Sequence, residues 1–205
     1  MNRYTTVAKE ASAEQVIDRS RFIAHIASAY SKEEADAYIA GIRAQYKDAT
    51  HNVPAFIVGE KSELKWTSDD GEPQGTSGPP MLQMLEREGL TNVVCVVTRY
   101  FGGIKLGTGG LVRAYTSSAK LALEAAGTHT VKDVSLMRVT IPYTLLGKLQ
   151  NVEKSEPFTI EEIAYTDTVG LLLQMDLEDE DRVRQLLMEL SSGSARIEET
   201  ERLIK

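Results

Sequence analysis

The chain of 205 residues has a single cysteine, Cys95, three histidines and one tryptophan. One cysteine forms no internal disulfide, and Cys95 sits inside the apolar run Val93–Val97, where a buried, inert thiol is the expected reading. Three dispersed histidines and one cysteine leave no His/Cys cluster with zinc-ligand spacing. No Ser or Cys stands in a nucleophile turn. No apolar run approaches the roughly 20 residues that cross a bilayer, and Met1-Asn2-Arg3-Tyr4-Thr5-Thr6 lacks the apolar core of a signal peptide. The expected location is therefore the cytoplasm, with no membrane partner. Net positive charge is missing as well. The total is −7, with 15 Lys and Arg against 16 Asp and Glu through Asp133 and 8 against 14 beyond it. An acidic second half opposes phosphate-driven nucleic-acid binding there, while the near-neutral first half can still carry a local basic groove.

What the chain does have is glycine and charge concentrated around one apolar strand. Asp69-Asp70-Gly71-Glu72-Pro73-Gln74-Gly75-Thr76-Ser77-Gly78 precedes it, and Arg99-Tyr100-Phe101-Gly102-Gly103-Ile104-Lys105-Leu106-Gly107-Thr108-Gly109-Gly110 follows. Such loops mark places where the backbone turns tightly or approaches a partner closely.

The surrounding pattern predicts strands at 4–9, 14–19 and 22–29, with Phe22, Ala24 and Ile26 on one face and His25 on the other. A helix follows from Ser31, with Glu34 completing a capping box and Ala35, Tyr38, Ile39, Ile42 and Tyr46 as its apolar stripe. The strand 52–58 contains Pro54, which places it at a sheet edge or a bulge. Ser77 is the expected cap of a helix over 79–88, and Thr108 the expected cap of a long helix ending at Gly127. The stripe of that long helix, Leu111, Tyr115, Ala119, Ala122 and Ala126, is narrow and mostly small, as close packing on a sheet requires. From about Val134 the order becomes strand, helix, strand, strand, helix, strand, with a bulge expected at Glu161-Glu162. The fold class is α+β: an α/β domain over 1–132 and a ferredoxin-like βαββαβ sandwich over 133–205, one sheet face uncovered.

Two readings of each loop stand side by side. Gly107, Thr108, Gly109 and Gly110 open a helix, whose free N–H groups favour an anion, with Arg99, Lys105 and Arg113 near in sequence. The same residues serve equally as a tight strand-to-helix turn. They match neither a Walker loop nor a dinucleotide fingerprint. Asp69, Asp70 and Glu72 supply oxygens of the kind that hold Mg²⁺ beside a phosphate, or they cap amides and pair with Arg99. His51 opens the strand beside these loops, as a general base or as a residue bonded to a loop carbonyl. Tyr100 and Phe101 offer rings that stack on an unpaired base or end a buried strand. The tail lacks aromatics on its central strands and does not read as an RNA-recognition sheet, so its open face suits protein contact.

Taken together, Asp69-Asp70-Gly71-Glu72-Pro73 with Gly75, Thr76 and Gly78, then Arg99-Tyr100-Phe101-Gly102-Gly103 and Lys105-Leu106-Gly107, resemble the signature of the IMPACT/YigZ family. His51 after Ala49-Thr50 and Tyr115 also fit, and the likeness covers roughly residues 15–127, with a tail similar to that of two-domain bacterial members. Val53-Pro54-Ala55 departs from the small residue and aromatic usual after His51-Asn52. The resemblance implies an N-terminal domain similar to domain IV of elongation factor G (ribosomal-protein domain 2-like, shared with GHMP-type kinases) and a tail similar to its domain V. It also implies relatives that regulate translation by competing for the activator of a starvation-responsive initiation-factor kinase. The bacterial members have no settled reaction.

The leading expectation is a non-enzymatic regulator of translation or stress response that binds RNA, the ribosome or a translation-associated protein between the two loops. The anion-facing residues are Arg99, Tyr100, Phe101, Gly102, Gly103, Lys105, Gly107, Thr108, Gly109, Gly110 and Arg113, with His51, Asp69, Asp70, Glu72 and Thr76 as groove partners. No cofactor and no resident metal are expected on this reading. The alternatives are a Mg²⁺-dependent enzyme or binding protein for a nucleotide or phosphorylated metabolite, and a pure protein-interaction module.

Overall fold

A computed structural model describes residues 2–204. The chain divides into two compact units, Tyr4–Thr130 and Val131 onward, with the first three positions grouped with the second. The sequence places the divide two residues later and assigns those first positions to the N-terminal domain.

In the first unit, β2 (Ala11–Ile17), β3 (Ser20–Ser28), β4 (His51–Val58), β5 (Leu64–Thr67) and β6 (Val93–Tyr100) form one sheet in the order β2-β3-β6-β4-β5. Every neighbouring pair is antiparallel. Helices α2 (Gly78–Arg87) and α3 (Gly107–Ala126) cover one face, sharing a core with Phe22, Ala24, Ile26, Val93, Cys95 and Val97. Helix α1 (Lys32–Gln45) covers the other with Ala35, Ile39 and Ile42 against Phe56, Val94 and Val96. Strand β6 is thus paired on both edges and covered on both faces, which is why it reads as an unbroken apolar run. Burial pushes the Cys95 thiol up to about 12, away from thiolate chemistry.

The capping box of α1 forms in part. Ser31 Oγ accepts from the Glu34 amide, while Glu34 Oε2 accepts from the amide of Tyr30 rather than that of Ser31. Three local expectations differ. Strand β4 lies inside the sheet, not at its edge. Pro54 is tolerated because its carbonyl, and so the side of its missing N–H, faces the place where β5 has ended. There the carbonyl accepts from Thr67 Oγ1 at 2.8 Å and the Ser68 amide at 3.2 Å. Thr108 does not cap α3, which starts one residue earlier at Gly107 behind Leu106. Ser77 precedes α2 without a side-chain capping bond of its own.

The second unit contains β7 (Thr128–Ile141) from Val131 on, α4 (Tyr143–Val152), β8 (Thr159–Tyr165), β9 (Val169–Asp176), α5 (Glu180–Ser191) and β10 (Arg196–Ile204). The sheet order β10-β7-β9-β8 is that of a ferredoxin-like sandwich, and β1 (Asn2–Val7), of which only Asn2 and Arg3 are grouped with this unit, also pairs with β7. Arg3 lies 3.5 Å from Asp133. Alternation along β9 buries Val169, Leu171, Leu173 and Met175 against Leu149, Val183 and Leu187. The register of β8 shifts between Ile160 and Glu162, the bulge expected from its slipped apolar phase.

Small residues on α3 allow Ala119 and Ala122, both fully buried, to sit directly on the sheet. Ala119→Leu should therefore overpack this interface and cost about 1–3 kcal/mol, read as a lower urea midpoint. The reverse change at exposed Leu121, Leu121→Ala, should move it far less.

Candidate functional site

The acidic loop folds against the ends of β4 and β6 through its own carboxylates. Asp69 sits ahead of α2 and caps it from a distance. Its Oδ1 accepts from the amides of Ser77 and Gly78 at 3.1 and 3.0 Å and from Ser77 Oγ at 2.7 Å, and its Oδ2 accepts from the Gly75 amide at 2.7 Å. The orphan donors of a helix start are satisfied by a residue eight positions upstream rather than by the local serine. Burial acts to raise the Asp69 pKa, but these hydrogen bonds outweigh it and hold the carboxyl below its ordinary range. Asp70, at φ 48°, accepts from the Asn52 amide at 2.7 Å and from Arg43 at 2.9 Å. Its carbonyl lies 2.8 Å from His51 Nδ1, which places the His51 proton on that nitrogen. Thr76 turns inward, its hydroxyl donating to the Pro73 carbonyl at 2.6 Å.

Glu72 is the most deeply committed of the three. It is 8% exposed and lies beneath the loop, where Arg99 Nη1 and the Tyr115 hydroxyl each donate to Oε1 at 2.7 Å. His51 Nε2 stands 3.8 Å from the same oxygen. Burial first, and then the Glu72 carboxylate, push the Tyr115 phenol far above its usual range, so it remains a donor. Arg99, 5% exposed, also donates to Ser20 Oγ at 3.2 Å, and its guanidinium carbon lies 5.4 Å from the ring centres of both Phe22 and Phe101. Its Nε has no hydrogen-bond partner among the described residues. The expectation that Arg99 contacts phosphate meets this burial: its charge is already paired and roofed by aromatic rings.

The second loop leaves the sheet at Phe101 and stays outside. The Phe101 amide donates to Thr50 Oγ1 at 3.0 Å and the Tyr100 hydroxyl to Asp48 at 2.9 Å. Phe101 and Ile104 remain 47% and 41% exposed, and Lys105 is exposed beside them. Gly102 is required by close approach, since a Cβ there would lie 2.0 Å from the Arg19 carbonyl oxygen. Gly103 is exposed within the loop, and Gly107 bends it into α3 at φ 70°. Gly107, Thr108 and Gly109 are exposed, and no protein acceptor for their amides occurs among the described residues. Gly110 lies against Leu106, and Arg113 reaches back over this turn, its Nη1 3.9 Å from where a Gly109 Cβ would be.

The structure therefore assembles two groups. Buried Glu72, Arg99 and Tyr115, with half-buried His51 and Asp70 beside them, form a polar cluster that closes the first loop. Phe101, Ile104, Lys105, the first amides of α3 and Arg113 form an exposed surface. Sequence reasoning missed Ser20 and the packing role of Phe22, neither of which carries a local signal, and it took Tyr115 only as a stripe residue that fits a signature.

The Impact N-terminal domain family matches residues 18–123, inside the first unit, and a domain of unknown function, DUF1949, matches 139–194, inside the second. The IMPACT family member YvyE of Bacillus subtilis is 38% identical over 98% of this chain and 93% of its own length. The chain belongs to the IMPACT family. Another member, YigZ of Escherichia coli, is 40% identical over 63% of this chain and 64% of its own. A crystal structure described as that of a hypothetical protein is 31% identical, with a TM-score of 0.62 over 96% of this chain and 97% of that one. In this IMPACT-family chain, no helix of the described residues is long and apolar enough to cross a membrane. No group of His, Cys, Asp or Glu arranged to hold a metal ion occurs among the described residues.

Two sets of variants test these contacts, one at the Glu72–Arg99 pair and one at the Asp69 cap. Glu72→Ala should cost about 3–5 kcal/mol in urea unfolding, because it leaves Arg99 buried without a counter-charge. A double variant with Arg99→Met should cost clearly less than the two single changes added. Asp69→Ala should cost about 1–2 kcal/mol at neutral pH. Because the folded-state pKa of Asp69 is lowered, its contribution is full above the unfolded carboxylate pKa of about 3.9 and is lost as pH falls through the lowered value. The stability gap between the parent and Asp69→Ala should therefore close in acid, measured as unfolding midpoints across a pH series.

Proposed function

We propose that this chain is a non-enzymatic cytoplasmic protein of translation or stress control. It binds RNA, the ribosome or a translation-associated protein with the exposed surface that runs from Phe101 through Lys105 to the start of α3. The observation carrying this reading is the pairing of an exposed aromatic and cationic loop with first-turn amides that have no described acceptor, next to Arg113. Phe101 offers its exposed side to an unpaired base while Arg99 backs the ring, and Lys105 and Arg113 take phosphate. Family membership supports the biological setting, through the translational role that the IMPACT resemblance implies.

The structure favours this over the Mg²⁺-dependent reading because Asp69, Asp70 and Glu72 are each engaged by protein donors. They do not converge on a shared vacant point, as ligands of a hard cation must. The acidic second unit, with 8 cations against 14 carboxylates from Val134 on, suits contact with protein rather than phosphate.

Binding of a short single-stranded RNA or of ribosomes should weaken steeply with salt. Lys105→Ala/Arg113→Ala should reduce affinity and lower the slope of log K against log salt by about 1.4, the value for two lost phosphate contacts on a single strand. Filter binding across a salt series measures both. Salt-insensitive binding, or none, overturns the proposal.

A further inference from the structure

A cavity of about 700 Å³ is bounded by α3, the last turn of α2 and the end of β2, and none of its lining residues belongs to the Glu72 cluster. Its apolar part comes from Ile17 at the end of β2, Leu106 ahead of α3, and Val112 and Ala114 on the helix. Three cations reach it from two helices: Arg113 and Lys120 on α3, and Arg87 in the last turn of α2. Arg113 and Lys120 are seven residues apart, so they lie on one flank about 10 Å apart along the axis. Arg87 and Arg113 have no ion pair among the described residues, and Lys120 has Glu88 at 3.5 Å. Asp18, at φ 46° in the turn between β2 and β3, supplies the one carboxylate of the lining.

We propose that this cavity binds a nucleoside phosphate. Its volume lies in the range of small-molecule sites, which combine an apolar body with a few placed polar groups. The three cations match phosphate charge, and the apolar floor matches the face of a base. Asp18 selects against a uniformly anionic guest and accepts from ribose hydroxyls or an exocyclic amine. Inorganic phosphate leaves the floor bare, and an acidic peptide sets carboxylates against Asp18. The site shares Leu106, Gly110 and Arg113 with the RNA-facing surface proposed above, while Ile17, Asp18, Arg87 and Lys120 lie outside that surface. Its occupant is a free nucleotide or one nucleotide of a strand.

Thermal shift and calorimetry on the full chain test this, with adenosine 5′-monophosphate, adenosine, inorganic phosphate, a six-nucleotide RNA and polyglutamate as probes. The nucleotide should raise the melting temperature more than adenosine or phosphate alone, since only a ligand of the folded state stabilises it. Arg87→Ala/Lys120→Ala, both at exposed positions, should bind at least roughly tenfold more weakly, the scale of a lost charge-assisted contact. Circular dichroism and melting without ligand establish that this variant folds. Lys47→Ala, an exposed cation outside both surfaces, should leave nucleotide binding unchanged. If the hexanucleotide binds with the same dependence on Arg87 and Lys120 while the mononucleotide does not, the nucleoside phosphate belongs to a strand. Binding indifferent to Arg87 and Lys120, no binding by either nucleotide probe, or binding of polyglutamate alone overturns the proposal. RNA binding that is lost with Lys105→Ala/Arg113→Ala but kept with Arg87→Ala/Lys120→Ala, together with no mononucleotide binding that depends on Arg87 and Lys120, removes this site and leaves the loop surface standing.

Discussion

A single carboxylate oxygen, Glu72 Oε1, holds the first unit's functional end together. It receives Arg99 from the central strand and Tyr115 from the long helix, while its own backbone belongs to the acidic loop. Three separate elements thus meet at one buried atom. A charge out of water is tolerated only when paired and hydrogen-bonded, and here both conditions are met from opposite layers of the fold. The consequence is a loop of ten residues with few apolar side chains that is nonetheless fixed in place. Asp69 and Asp70, adjacent near the start of the loop, complete this, one tying it to α2 and the other to β4 and α1.

This division of labour explains why two loops with similar composition behave differently. The first spends its charge internally, so its carboxylates act as architecture. The second leaves the sheet after Arg99, anchors its base through Thr50 and the close seat of Gly102 on Arg19, and then keeps Phe101, Ile104 and Lys105 outside. Exposed apolar side chains next to a cation and unclaimed amides are costly to keep in water without a use, and this is where recognition surfaces concentrate.

Much of the architecture was legible in the chain, because burial leaves periodic marks. The doubly covered β6, the small-residue stripe of α3, the alternation of β9 and the bulge in β8 all follow from which residues tolerate removal from water. The two-unit organisation and the family also followed from local residues. The cap of α2 did not, because Asp69 acts across eight intervening residues and capping rules look only at neighbours. Pro54 misled for a related reason. A missing donor marks an edge locally, yet a neighbouring strand that stops short provides the same freedom inside a sheet. In the candidate site, residue types identified the loops, but charge alone did not separate a surface arginine from one roofed by Phe22 and Phe101. Arg99 and Lys105 look alike in the sequence and differ only in what the fold stacks upon them.

Strand β6, bonded on both edges and sealed on both faces, ends one residue before Phe101. Whatever docks on that ring meets a platform mounted on a strand that is held on every side. Little disorder is left there for a guest to freeze out, so contact energy goes into affinity rather than into ordering the receptor.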